Sequence, residues 1–370
     1  MEGTIMNKIS IVAVGLLAGL LGSACAVSAD GTSEPEAENL GAQSSALVTT
    51  VGSGYAWVLA SGSFGGGWNS TSGAITTSKL GTGQYQVDFA GQSSTNANAQ
   101  VVAYGSSSTR CKLVTNAVGT TYTRWLVLCH DAAGALTDSA FNILTDHRTG
   151  SGSAGSAYLT SSMSGSVSDS FNSGGGTNTV AVDSTGVYTV TMPGFTSANS
   201  SVHVTATGLN GNRCQVGSWG LTTVRVRCFD ASGAPANTGF SIARRPSSLI
   251  DGQIGGHGWV SGGTLPSGYT LTTGSCPNNI PQPMTLAASG NDIVMTLPDA
   301  TLPPGGGWPD VMPIVTAYGS GTNTCKVVGW GVSGTTASAT VRCFDNAGVQ
   351  VNASTTPFTF TFTSKHFPFC

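Results

Sequence analysis

Apolar and polar residues alternate with a period of two through several short stretches of the chain: Tyr85, Val87 and Phe89; Tyr188, Val190 and Met192; Ile293, Met295 and Leu297. That period puts successive side chains on opposite faces, so each stretch predicts a half-buried β-strand. Gly, Ser, Asn and Pro interrupt such runs at roughly dozen-residue spacing, as they do in antiparallel sandwiches and barrels. No stretch carries the spacing of an amphipathic helix. The predicted fold class is all-β.

The strand pattern recurs. "GQYQVDFAG" (83–91) precedes Cys111 as "GVYTVTMPG" (186–194) precedes Cys214, over equal intervals, and "NDIVMTLPD" (291–299) reaches Cys325 after a short insertion. In each case the first Cys follows an Ala by eight residues, Ala103, Ala206 and Ala317, and an aromatic strand closes the unit: "FNILT", "FSIAR" or "FTFTFT". Three tandem antiparallel β-sandwich or barrel-like domains are therefore expected at 55–148, 156–247 and 257–370. The joins, "TGSGSAGS" (149–156) and "LIDGQIGG" (249–256), are short and Gly-rich and predict closely strung domains.

The clearest shared motif is "VRVRCFDASG" (224–233), matched by "WLVLCHDAAG" (125–134) and "ATVRCFDNAG" (339–348). Val224, Val226 and Cys228 should face a core, with Arg225 and Arg227 outward. Asp230 and Gly233 then occupy the first and fourth positions of a type I turn, where the carboxylate caps a backbone amide and Gly takes the exit. A calcium loop needs several carboxylates at alternating positions, and each copy offers one. The motif reads as scaffold.

Cysteine usage points the same way. Cys111 with Cys129, Cys214 with Cys228, and Cys325 with Cys343 are expected as disulfides inside the units, leaving Cys276 to pair with Cys370. The spacings match no zinc ligand set. No pattern implies a cofactor or metal.

Residues 1–29 read as a signal peptide: Lys8, the apolar run "ISIVAVGLLAGLLG", then "VSA" at the cleavage site. A competing reading takes "LGSAC" as a lipoprotein signal with Cys25 lipidated, although Gly22 stands where Leu is usual. Residues 30–46 are acidic and aperiodic, a disordered spacer containing Glu34, Glu36 and Glu38. No later segment has the apolar length of a membrane span. From residue 47 onward, 13 Lys and Arg face 12 Asp. Such near neutrality predicts no nucleic-acid partner.

The order "GxYxV", "VTAYG", Cys, "VxGW", "VRCFDxxG" resembles tandem-repeat secreted proteins of myxobacteria and actinobacteria, and "PEAENLG" resembles the myxobacterial ones. The resemblance covers nearly the whole mature chain and implies no activity. Unit one departs from it, with Asn116 where the others have Trp219 and Trp330, and His130 in place of Phe229 and Phe344.

The chain has no G-x-S-x-G elbow. "GSGSAG" (150–155) matches a dinucleotide fingerprint in spacing, but it lies in a join. Trp57, Tyr158 and Trp259 are spaced 101 residues apart and, with Trp219 and Trp330, read as packing residues. Trp68 and Trp308 each follow "GGG" and are the candidate ligand-stacking residues, Trp308 lying in the insertion peculiar to unit three. Phe171, matching Trp68, argues for burial there. The first expectation is an exported, non-enzymatic adhesive or ligand-binding protein at the cell surface, with glycan or envelope polymer as partner. The second is a secreted hydrolase of envelope polymers using aspartate pairs. The third is a structural coat or spacer, whose Ser/Thr faces would favour self-association.

Overall fold

In a computed structural model, the structure describes residues 49–92, 96–118, 121–149, 156–195, 198, 200–245, 255–261, 284–297, 311–334 and 336–364. The alternation becomes three sandwiches of antiparallel sheets. In the first, β1 (Thr49–Val58), β2 (Phe64–Asn69), β5 (Ala97–Tyr104) and β8 (Ala140–Thr149) make one sheet in the order β2-β1-β8-β5. The facing sheet is β3-β4-β7-β6, from β3 (Ile75–Gly81), β4 (Gln84–Ala90), β6 (Arg110–Val118) and β7 (Tyr122–His130).

The second sandwich repeats this order. One sheet is β10-β9-β16-β13, from β9 (Ala157–Ser161), β10 (Val167–Asn172), β13 (Ser201–Ala206) and β16 (Phe240–Arg245). The other is β11-β12-β15-β14, from β11 (Thr179–Ser184), β12 (Val187–Thr191), β14 (Arg213–Trp219) and β15 (Thr223–Phe229). In the third, β17 (Gly255–Val260), β20 (Val311–Ala317) and β24 (Phe358–Ser364) are ordered β17-β24-β20. Opposite lie β18 (Thr285–Ser289), β19 (Asp292–Leu297), β21 (Thr324–Ser333) and β22 (Thr336–Phe344), ordered β18-β19-β22-β21, with β23 (Gln350–Val351) beside β22. Through one parallel pair, Val327 with Tyr104, β21 continues into β5, so these strands and β2-β1-β8-β5 of the first sandwich form a single nine-stranded sheet. The sheets are open rather than closed into barrels, so of the two architectures expected, the sandwich is the one formed.

Tyr85, Val87 and Phe89 of β4 are buried, and their neighbours are half-buried. Val224, Val226 and Cys228 of β15 face inward, while Arg225 is exposed and Arg227 half-buried. The disulfides Cys111–Cys129, Cys214–Cys228 and Cys325–Cys343 join residues directly opposite each other on neighbouring strands. Cys25, Cys276, Trp308 and Cys370 lie outside the described residues.

Residues 45–370 are one compact unit rather than three beads. Strands β5, β13 and β20 are buried along both faces, one against their own sandwich and the other against their counterparts. The sandwiches are joined by backbone hydrogen bonds at corresponding places: the Gly208 amide to the Leu113 carbonyl (3.0 Å), Gly319 to Val216 (2.8 Å), and Gly105 to Val327 (3.0 Å). The first bond links sandwich one to two, the second two to three, and the last three back to one. The described strands of residues 45–370 thus form a closed ring about a pseudo-threefold axis.

The register corrects one expectation. Phe141, Phe240 and Phe358 are equivalent, and Val58, Ser161 and Val260 pair with them. Counting back from these pairs, Thr160 is the counterpart of Trp57 and Trp259, whereas Tyr158 matches Tyr55 and His257. Trp57 and Thr160 are 103 residues apart, and Thr160 and Trp259 are 99 apart. Equal spacing along the chain misled because the join and insertion lengths differ.

Candidate functional site

Three sets of corresponding residues build the axis, and each begins from a short motif. The first set is aromatic. Trp330 of the third sandwich packs edge-on against Trp57 and Tyr104 of the first, at ring separations of 5.5 and 4.7 Å. Trp219 of the second packs in the same way against Trp259 and Tyr318 of the third, at 5.8 and 5.0 Å. Edge-to-face contacts at these distances add about 0.5–1.5 kcal/mol to ordinary burial. At the joint between sandwiches one and two, Asn116, Thr160 and Thr207 hold the corresponding positions. All three aromatic rings are replaced there by small polar residues.

The second set is the shared turn. Asp131, Asp230 and Asp345 each accept the amide of the residue four further on, at 2.9 Å. In each turn the closing glycine, Gly134, Gly233 or Gly348, donates its amide to the Asp carbonyl and has a positive φ. These glycines also approach the next turn of the ring. A Cβ at Gly134 would meet Ala231, one at Gly233 would meet Asn346, and one at Gly348 would meet Ser108 and Ala132. The scaffold motif is thus an inter-sandwich contact as well as a turn.

The third set follows the first cysteine of each sandwich. Lys112 Nζ donates to the backbone and side-chain oxygens of Asn210 in sandwich two, at 2.8 and 3.1 Å. Gln215 Nε2 donates to the Gly319 and Gly321 carbonyls of sandwich three, at 3.0 and 2.7 Å. Lys326 Nζ donates to the Ser107 and Thr109 carbonyls of sandwich one, at 2.9 and 3.3 Å. One latch therefore runs around the ring in a constant sense.

These residues border a cavity of about 80 Å³ on the axis, lined in turn by the ends of β5, β13 and β20 and by the segments around Cys111, Cys214 and Cys325. Its ionisable lining consists of Arg110, Lys112, His130, Arg213 and Lys326. Burial lowers Lys112 to about 8, and burial with the Arg342 charge lowers Lys326 to about 7. Burial also lowers Arg213 to about 10, with the Arg110 charge adding to the effect. His130, standing where Phe229 and Phe344 stand, is shifted down by burial and then by Lys112. Nothing in the sequence made this cluster visible beyond the polar residue that follows each cysteine on an otherwise apolar strand.

Of the two expected stacking residues among tryptophans after "GGG", Trp68 lies within β2, half-buried and 6.1 Å from the Tyr55 ring. Phe171 meets Tyr158 in the same relation at 5.4 Å. Trp68 is thus part of a strand, and it shares no site with the axial residues. His147, His203 and His257 are all buried. Among the described residues, no group of His, Cys, Asp or Glu has the arrangement of a metal centre, and no helix is long and apolar enough to cross a membrane.

Comparison with family models, with curated proteins and with solved structures finds no match to this chain.

Proposed function

We propose that this is an exported, non-enzymatic binding protein of the cell surface, in which a disulfide-stapled ring holds loops rigidly for recognition of glycan or envelope polymer. The observation that carries the reading is the engagement of the shared residues in structure. The aromatic rings, the turns and the residues after the cysteines join sandwiches to one another. Several aspartates are engaged in ion pairs: Asp88 with Arg124, Asp138 with Lys79, Asp183 with Arg225 and Asp292 with Arg342 inside single sandwiches, and Asp146 with Arg148 and, across to sandwich two, with Arg245. Outer turns instead present hydroxyls, as in the exposed Ser61–Ser63 and Ser162–Ser164 pairs at 3.0 and 2.9 Å. Hydroxyl-rich, weakly charged loops suit a neutral polymer. The three disulfides fit an oxidising compartment, and the signal-like residues 1–29 supply the route, with lipidation of Cys25 as its membrane-tethered form.

Binding of the oxidised protein to bacterial and plant glycan arrays tests this reading, with Trp308→Ala alongside. Binding that the substitution abolishes supports a lectin-like site in the third unit. A blank array contradicts it and moves the protein to a structural role.

A further inference from the structure

The axial cavity gathers cationic side chains, and no carboxylate lines it among the described residues. Asp131 and Asp230 act on Arg110 and Arg213 from outside the lining, and each carboxylate is held by an amide of its own turn. Arg110 uses Nη2 on the Asp131 and Ala132 carbonyls at 3.1 and 2.7 Å. Its Nε and Nη1 are buried and without a hydrogen-bond partner. Arg213 donates from Nη1 to Asp230 and from Nη2 to Thr322 and Asn346, and its buried Nε is likewise unpartnered. Lys112 and Lys326 use two oxygens each, which leaves one ammonium proton apiece.

Bringing like charges together away from water is unfavourable unless an opposite charge joins them. Buried donors left unmade are costly for the same reason. A neutral sugar would satisfy the donors but not the charge; an oxyanion satisfies both. Guanidinium and ammonium groups lining one small cavity from all three sandwiches, with buried donors unmet, are the chemistry that phosphate-type groups select. The cavity volume suits one small group and no extended chain.

We propose that this cavity is an oxyanion site that takes a single phosphate- or sulfate-type group on the pseudo-threefold axis, held by Arg110, Arg213, Lys112 and Lys326. The bound anion ties all three sandwiches together, since these residues come from each of them. This site is independent of the glycan reading.

The ring supplies its own control. Gln215 makes the same latch as Lys112 and Lys326 without a charge. In the full oxidised chain, Lys112→Gln with Lys326→Gln should keep the latches and remove two charges. Titration calorimetry and thermal unfolding with inorganic phosphate, against sodium chloride at equal ionic strength, read the outcome. The expected result is specific phosphate binding by the native protein and at least tenfold weaker binding by the double variant. Gln215→Lys, which adds a third ammonium, should bind phosphate several-fold more tightly, and this arm stands if the double variant does not fold. Glycerol phosphate distinguishes the source: equal binding indicates the end group of a phosphate polymer, and binding of inorganic phosphate alone indicates the free ion. Phosphate acting no differently from chloride, or binding unchanged in both variants, overturns the site.

Discussion

The joint between sandwiches one and two and the joint between three and one occupy corresponding positions yet are built from opposite materials. At the closing joint Trp330, Trp57 and Tyr104 pack edge to face. At the first joint the counterparts are Asn116, Thr160 and Thr207, and the contact relies more on buried polar groups. Asn98 donates to the Ser241 hydroxyl at 2.7 Å, Thr205 donates to Gln100 Oε1 at 2.9 Å, and the Val101 amide donates to Thr205 Oγ1 at 3.0 Å. Apolar area is tolerant of small shifts, whereas a buried hydrogen-bonded network must be satisfied throughout. Covalent connection does not set the difference, because sandwiches two and three are also consecutive in the chain and their joint is aromatic, Trp219 against Trp259 and Tyr318.

The comparison can be broken most forcefully at the closing joint. Trp330→Ala leaves a void where a buried ring met two others and should cost about 3–5 kcal/mol, read by denaturant unfolding. Thr207→Ala at the polar joint should cost less than about 1 kcal/mol in the same measurement. If the two effects are equal, the joints do not differ as their composition indicates. Replacing both Cys214 and Cys228 by Ala removes a staple within one sandwich and should cost about 3 kcal/mol.

Acid separates another pair of joints. His203 donates from one ring nitrogen and accepts at the other, bridging Thr316 and Thr361 of sandwich three at 3.0 and 2.8 Å, while Gln100 holds the corresponding position toward sandwich two. Burial lowers His203 to about 3 and His257 to about 4. An unfolded histidine titrates near 6.5. Between those values the unfolded state binds more protons, so stability is full above about pH 6.5 and falls as pH drops towards 4. His203→Gln should flatten that decline in unfolding midpoints measured from pH 7 to 4; an unchanged slope would place the acid sensitivity elsewhere. A small effect is also expected at an exposed turn: Asp230→Ala removes the acceptor of the Ala234 amide and Ser232 hydroxyl and should cost about 1 kcal/mol, with no calcium dependence before or after. A calcium-raised midpoint that the substitution abolishes would contradict the turn reading.

Strand content, disulfide pairing and turn chemistry were legible because each depends on neighbours along the chain or on a local period. Tyr85, Cys214 and Asp230 announce themselves in this way. Ring closure did not, since it depends on which strands have a second buried face. Only part of the signal was present: "VVA" in β5 and "MPIV" in β20 run apolar without alternation, but "VHVTA" in β13 alternates like a half-buried strand although every residue of it is buried. The axial cations were hidden for a related reason. Lys112 and Lys326 look like solvent-facing strand residues until the neighbouring sandwich covers them. Tyr158 was misplaced because spacing counts residues and register counts pairs.

Closure is the central claim, and one amide reports it. Gly208 and Gly319 bond between sandwiches adjacent in the chain, but the Gly105 amide reaches Val327 only if the third sandwich returns to the first. Native-state hydrogen exchange at these three glycines is the most direct measurement. The closed ring predicts that Gly105 is protected to the same degree as Gly208 and Gly319. Exchange of Gly105 at the rate of an open peptide, with the other two protected, would mean a rod of sandwiches and would contradict the ring.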